Sequence, residues 1–70
     1  MTRPAKRSLT LHGHRTSVTL EDEFWQGFRD LAAAEGLGIN ALAARIDDAR
    51  GDTGLATAIR LAVLAHYRDR

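Results

Sequence analysis

A mainly helical fold with a short β-ribbon is what this 70-residue chain predicts. Two observations carry that expectation. Arg15-Thr-Ser-Val-Thr-Leu20 alternates polar and apolar residues, the period of a strand with one wet face and one buried face. After it come three segments with apolar residues at helical spacing, separated by glycine-containing breaks. On the strand, Val18 and Leu20 point one way with Thr16, while Arg15, Ser17 and Thr19 point the other way. A lone strand leaves its backbone edges and apolar face uncovered, so it needs a partner. In a chain that otherwise reads as helix, the obvious partner is the same strand of a second copy.

The first helix is expected from about Glu21 to Glu35. Glu21, Asp22 and Glu23 place negative charge in its first turn, where the helix dipole favours it. Thr19 or Leu20 is the cap position, with Thr19 the better side-chain acceptor. Phe24, Phe28 and Leu31 form an i, i+4, i+7 stripe widened by Trp25 and Ala32, and Gly36 supplies the stop. Gly27, inside the helix, costs about 1 kcal/mol relative to alanine. The second helix is expected from about Ile39 to Arg50, with Ile39, Leu42, Ala43 and Ile46 on one face and Gly51 as its end. The break Gly36-Leu37-Gly38 is so short that the two helices must pack as neighbours. Asp52 or Thr53 then caps a third helix from about Leu55 to Arg68. Its apolar residues form two stripes, Leu55, Ile59, Ala62, Val63 with His66, and Leu61, Leu64 with Ala65. A helix apolar on most faces is expected to be buried on most faces, which in so short a chain suggests an intersubunit core.

Size and composition point the same way. A chain this short forms one domain with a modest core, and such domains use disulfides, a metal or oligomerisation. There is no cysteine, which excludes disulfides and cysteine-ligated zinc. No apolar run approaches the roughly 18–20 residues of a membrane span, and no signal peptide is visible, so no membrane association and a cytoplasmic location are expected. Charge is uneven. Residues 1–20 carry Arg3, Lys6, Arg7 and Arg15 and no acid, whereas all nine acids lie beyond them in a chain of net charge +1. A basic strand side on an acidic body suggests contact with a polyanion. Residues 1–6 read as a basic flexible N-terminus and residues 7–70 as the folded domain, with its third helix at 55–68.

Arg7-Ser-Leu-Thr-Leu11 echoes Thr16-Ser-Val-Thr-Leu20, with His12-Gly13-His14 between them. Either Gly13 turns the chain into an N-terminal β-hairpin, towards which the echo leans, or it is a bulge in one long ribbon strand. If two hairpins joined edge to edge, four strands at about 4.8 Å spacing would be too broad to enter a DNA groove, so the hairpin case weakens direct readout and favours a module that binds protein.

Strand, helix, tight glycine-containing turn and second helix, in that order, resemble the ribbon-helix-helix family over residues 15–50. The matching stretches are Arg15-Thr-Ser-Val-Thr-Leu20, Phe24/Phe28/Leu31, and Gly36-Leu-Gly-Ile-Asn40. The longer run from Arg7 to Phe-Trp resembles a bacterial subgroup with a third helix. The family usually has a hydroxyl residue where this chain has Gly38, so a side-chain cap and phosphate ligand is missing. The resemblance implies an intertwined homodimer whose antiparallel ribbon enters the major groove of double-stranded DNA. Carried over by position, Arg15, Ser17 and Thr19 would contact bases. Lys6, Arg7 and the backbone near Gly38, Ile39 and Asn40 would contact phosphates. The dimer core would hold Val18, Leu20, Phe24, Phe28, Leu31, Ile39, Leu42, Ile46, Ile59 and Val63.

Enzymatic chemistry finds no support. Ser8 and Ser17 have no visible base partner, and there is no glycine-rich phosphate loop. Asp47 and Asp48 are adjacent on a helix and are expected to diverge, with solvent exposure or interhelix pairing to arginine as their roles. His12 and His14 share a strand face but are too few to hold a metal without a second copy or a carboxylate, and His66 reads as a packed or interface residue. No cofactor is expected. The leading expectation is a small dimeric DNA-binding transcriptional repressor or autoregulator. The alternative is a protein-interaction or dimerisation module of the same fold, adaptor or antitoxin-like, whose partner is another protein.

Overall fold

A computed structural model describes residues 3–69. The chain runs β1 (Ala5–Leu11), β2 (His14–Leu20), α1 (Asp22–Ala34), α2 (Ile39–Ala49) and α3 (Leu55–Arg68). The two strands form one antiparallel hairpin with Ala5 opposite Leu20 and Leu11 opposite His14. The expectation that β2 would find its partner in a second copy is therefore corrected: β1 of the same chain takes that place. Of the two readings of Gly13, the hairpin is the one adopted. His12 (φ 51°) and Gly13 (φ 79°) form its two-residue turn, both left-handed, as a turn matching the twist of the strands requires. β1 begins at Ala5, so Ala5 and Lys6 belong to the hairpin rather than to a flexible tail. Residues 1 and 2 of that expected tail lie outside the described residues.

Helix ends follow the glycines closely, but capping differs from expectation. Glu21, not Thr19 or Leu20, is the N-cap of α1, and the Phe24 and Trp25 amides both donate to the Glu21 carbonyl. At its other end, Gly36 N–H donates to Ala33 O and Leu37 N–H to Ala32 O, the paired bonds that close a helix at a left-handed residue. Gly38 and Gly54 are the N-caps of α2 and α3, and neither helix has a side-chain cap, so Asp52 and Thr53 do not serve.

The core lies between the inner face of the hairpin and the three helices. Leu9, Leu11, Val18 and Leu20 roof it, and Trp25, Phe28, Ala32, Leu42, Ala43, Ile59 and Val63 fill it from below. Of the ten residues expected at a dimer core, Val18, Leu20, Phe28, Leu42, Ile59 and Val63 are buried inside one chain. Phe24, Leu31, Ile39 and Ile46 pack half-buried against them. Only one side of α3 is covered: Ile59 and Val63 face the core, while Leu61 and Leu64 stand in solvent. Within one chain, therefore, α3 is not buried on most faces: it is covered on one side by α1, α2 and β2, and its second apolar stripe is left open.

α1 and α3 approach closely at Gly27. A Cβ built there would lie 2.6 Å from Val63 Cγ1 and 3.3 Å from Tyr67 Cε2. The glycine that weakens α1 as an isolated helix is the residue that lets α3 pack against it.

Candidate nucleic-acid interface

The pleat of the hairpin sorts its side chains. In antiparallel pairs opposite residues share a face, so Lys6 with Thr19, Ser8 with Ser17 and Thr10 with Arg15 form the outer face. All six are exposed. The face holds two cations, four hydroxyls and no acid. Arg15, Ser17 and Thr19, picked out by position in the sequence, stand on it together, and so does Lys6. Ser8 and Thr10 were missed as site residues, although the repeated alternation of Arg7–Leu11 and Thr16–Leu20 carries the signal that places them there.

Arg7 is elsewhere. It is paired with Val18 on the inner side of the sheet. Its guanidinium lies 5.7 Å from the centre of the Trp25 ring and 3.9 Å from Asp22 Oδ1. The buried Trp25 in turn donates from Nε1 to Ala5 O at 2.8 Å and meets Phe28 edge-on at 6.1 Å. The structure gives Arg7 a packing partner rather than a place beside the outer-face residues.

The two edges of the ribbon are tied to helices. The Thr10 amide donates to Asn40 Oδ1 at 3.0 Å, which sets the first turn of α2 beside β1. There Gly38 and Ile39 bring the helix start, with its unpaired backbone amides, next to the ribbon. On the other edge, Arg60 of α3 donates to Thr19 O at 3.3 Å and to Glu21 Oε1 at 3.0 Å, and it lies 5.9 Å from the Phe24 ring centre. The Glu21 carboxyl is held below its usual range, first by a backbone hydrogen bond at Glu21 and then by the Arg60 hydrogen bond. Both backbone groups lie on outer edges of the hairpin, where a third strand would have to bond.

At the tip, His12 Nε2 lies 2.9 Å from Asp48 Oδ1. Ligand atoms of His12, Asp47 and Asp48 lie within 4.8 Å of one another, so the two aspartates converge rather than diverge as expected. Asp47 accepts from Arg50 Nε at 2.6 Å, a local contact at the end of α2 and not the interhelix pairing expected of it. His66 is half-buried and stacks edge-on with Tyr67 at 4.9 Å.

A hairpin with a polar, acid-free outer face, braced by a helix–turn–helix, matches the ribbon-helix-helix domain model over residues 4–67, and the chain belongs to that family. Such domains are in general DNA-binding, regulatory and non-enzymatic, and they typically form dimers. Comparison with curated proteins and with solved structures finds no match. No helix among the described residues is long and apolar enough to cross a membrane.

Proposed function

We propose that this protein is a sequence-specific DNA-binding regulator, a small transcriptional repressor or autoregulator, which works as a homodimer and reads the major groove with the outer face of its own hairpin. The observation that carries this reading is the set of six exposed residues Lys6, Ser8, Thr10, Arg15, Ser17 and Thr19, basic and free of acids. Two strands at about 4.8 Å spacing fit a groove about 12 Å wide. One chain therefore carries a whole ribbon, and the side chains of Asn40 and Arg60 on its edges keep it from widening at Thr10 and Thr19. Arg15 is suited to bidentate bonding with guanine, and Ser17 and Thr19 to either donors or acceptors on base edges. Lys6 and the α2 start at Gly38, Ile39 and Asn40 are suited to phosphates. Arg7, committed to Trp25 and Asp22, contributes less.

The test is a salt-titrated binding assay on selected and random DNA. Arg15→Ala should cost about 1–3 kcal/mol on the selected site and relax its sequence preference. Lys6→Ala should weaken all sequences alike and shallow the salt slope by about one unit. Equal losses on both DNAs would reduce Arg15 to a phosphate contact. Absence of wild-type binding at low salt would favour the second reading, a protein-interaction module, which the exposed Leu61 and Leu64 support.

A further inference from the structure

At the tip of the hairpin, one imidazole and two carboxylates from distant parts of the chain converge. His12 sits in the turn, and Asp47 and Asp48 occupy the last turn of α2. Each offers a ligand atom within 4.8 Å of the other two, and His12 Nε2 and Asp48 Oδ1 are 2.9 Å apart. Two ligands about 2.0–2.1 Å from a tetrahedral ion stand roughly 3.3 Å from each other, so a cation enters between these atoms with little movement. The local charge favours one. Both aspartates lie at the negative end of the α2 dipole, in a last turn with no basic residue. Arg50, just beyond, engages Asp47 Oδ1 and is itself anchored on Thr53 O at 2.7 Å. It leaves the second Asp47 oxygen for a ligand and supplies the outer hydrogen bond that metal-binding carboxylates have. An acidic helix end alone attracts cations without choosing among them; the imidazole brought by the hairpin turn supplies the choice.

We propose that His12, Asp47 and Asp48 form a binding site for a divalent transition-metal ion that accepts mixed nitrogen and oxygen ligands, with Zn²⁺ as the type case. The ion takes the place of the proton between His12 Nε2 and Asp48 Oδ1, and that proton is released to water. Water completes the shell, since the His12 and Asp48 side chains are exposed. Mg²⁺ and Ca²⁺ prefer shells made of oxygen alone, so the imidazole discriminates against them. A bound ion fastens the ribbon tip to the end of α2, as the Thr10–Asn40 hydrogen bond fastens β1 to its start. None of the six outer-face residues of the ribbon takes part, so the site stands independently of the DNA-binding reading.

Calorimetric titration of the untagged full chain with zinc chloride, in the absence of DNA, tests this. Zinc should bind with one ion per chain, and the melting temperature should rise with zinc concentration. His12→Asn removes the imidazole but places asparagine before Gly13, a strong signal for the same turn, so the hairpin should be retained. Zinc affinity should nevertheless fall at least ~10-fold, and Asp48→Asn should lower it comparably. Circular dichroism checks that both variants keep the wild-type fold. His14→Ala should bind zinc as wild type does, and magnesium chloride at the same concentration should not displace it. A wild type that takes up no zinc at millimolar concentration would overturn the proposal. Uptake unchanged by both His12→Asn and Asp48→Asn would also overturn it, since the ion would then lie elsewhere. Displacement of zinc by equal magnesium would do the same, reducing the cluster to an acidic surface without selection.

Discussion

The backbone amide of Thr10 donates to Asn40 Oδ1 at 3.0 Å, joining residues thirty positions apart and fixing the start of α2 against the edge of β1. The bond relates the two parts of the proposed DNA surface, the ribbon face and the helix start, as one rigid unit. Asn40→Ala should remove it at a cost of about 0.5–1.5 kcal/mol, since the Thr10 amide is exposed and can turn to water. Faster hydrogen exchange at the Thr10 amide, with a melting temperature lowered by several degrees, is the expected result. Unchanged exchange would show that the contact does not persist in solution.

Gly27→Ala opposes two effects. Alanine is the better helix former by about 1 kcal/mol, but its Cβ would sit 2.6 Å from Val63 Cγ1. Overpacking of this kind costs about 1–3 kcal/mol, so the variant should be less stable than wild type in urea unfolding. The double variant Gly27→Ala/Val63→Ala should not show the clash, and a double-mutant cycle should return a favourable coupling between the two sites.

Phe28 is fully buried at the junction of hairpin and helices, edge-on to Trp25. Phe28→Ala should cost roughly 3–5 kcal/mol, a large part of the stability of so small a domain. Thermal unfolding followed by circular dichroism measures it. A melting curve like that of wild type would mean that Phe28 does not occupy the centre of the core.

Glu21 links acid stability to the Arg60 contact. Its folded pKa lies below the ordinary value of 4.5, so its contribution is present above the ordinary glutamate range and is lost as pH falls through the lowered folded value. Acid unfolding of wild type should therefore include a component that Glu21→Gln lacks, whereas the two proteins should show the same pH dependence above the glutamate range. Arg60→Met should remove part of that component and leave part, because the backbone hydrogen bond at Glu21 is the larger cause of the lowering.

The order of elements was legible in the sequence because each rests on local pattern. The alternation in Arg15–Leu20, the stripe Phe24/Phe28/Leu31 and the span Leu55–Arg68 each declare their own period, and the glycines at 36, 51 and 54 mark real breaks. The resemblance to the ribbon-helix-helix family rests on that order, and the match to the family's domain model over residues 4–67 bears it out. The outer-face residues Arg15, Ser17 and Thr19 follow from it too, because the two-residue repeat of a strand assigns faces without reference to anything else.

What covers each face was decided by tertiary structure alone. His12-Gly13 is a weaker turn signal than asparagine-glycine, so the sequence left open whether β1 would pair with β2 or extend it. Once the hairpin closes, Leu9 and Leu11 become part of the roof of the core, Arg7 is drawn to Trp25, and α3 keeps one face in solvent. Asn40 and Arg60 show the same limit: a period states which residues share a face, but the edge that a side chain reaches depends on how distant elements pack. The sequence by itself determined the strand-and-helix order and the polarity of the ribbon. Packing alone decided that one chain supplies both strands and that Leu61 and Leu64 remain uncovered.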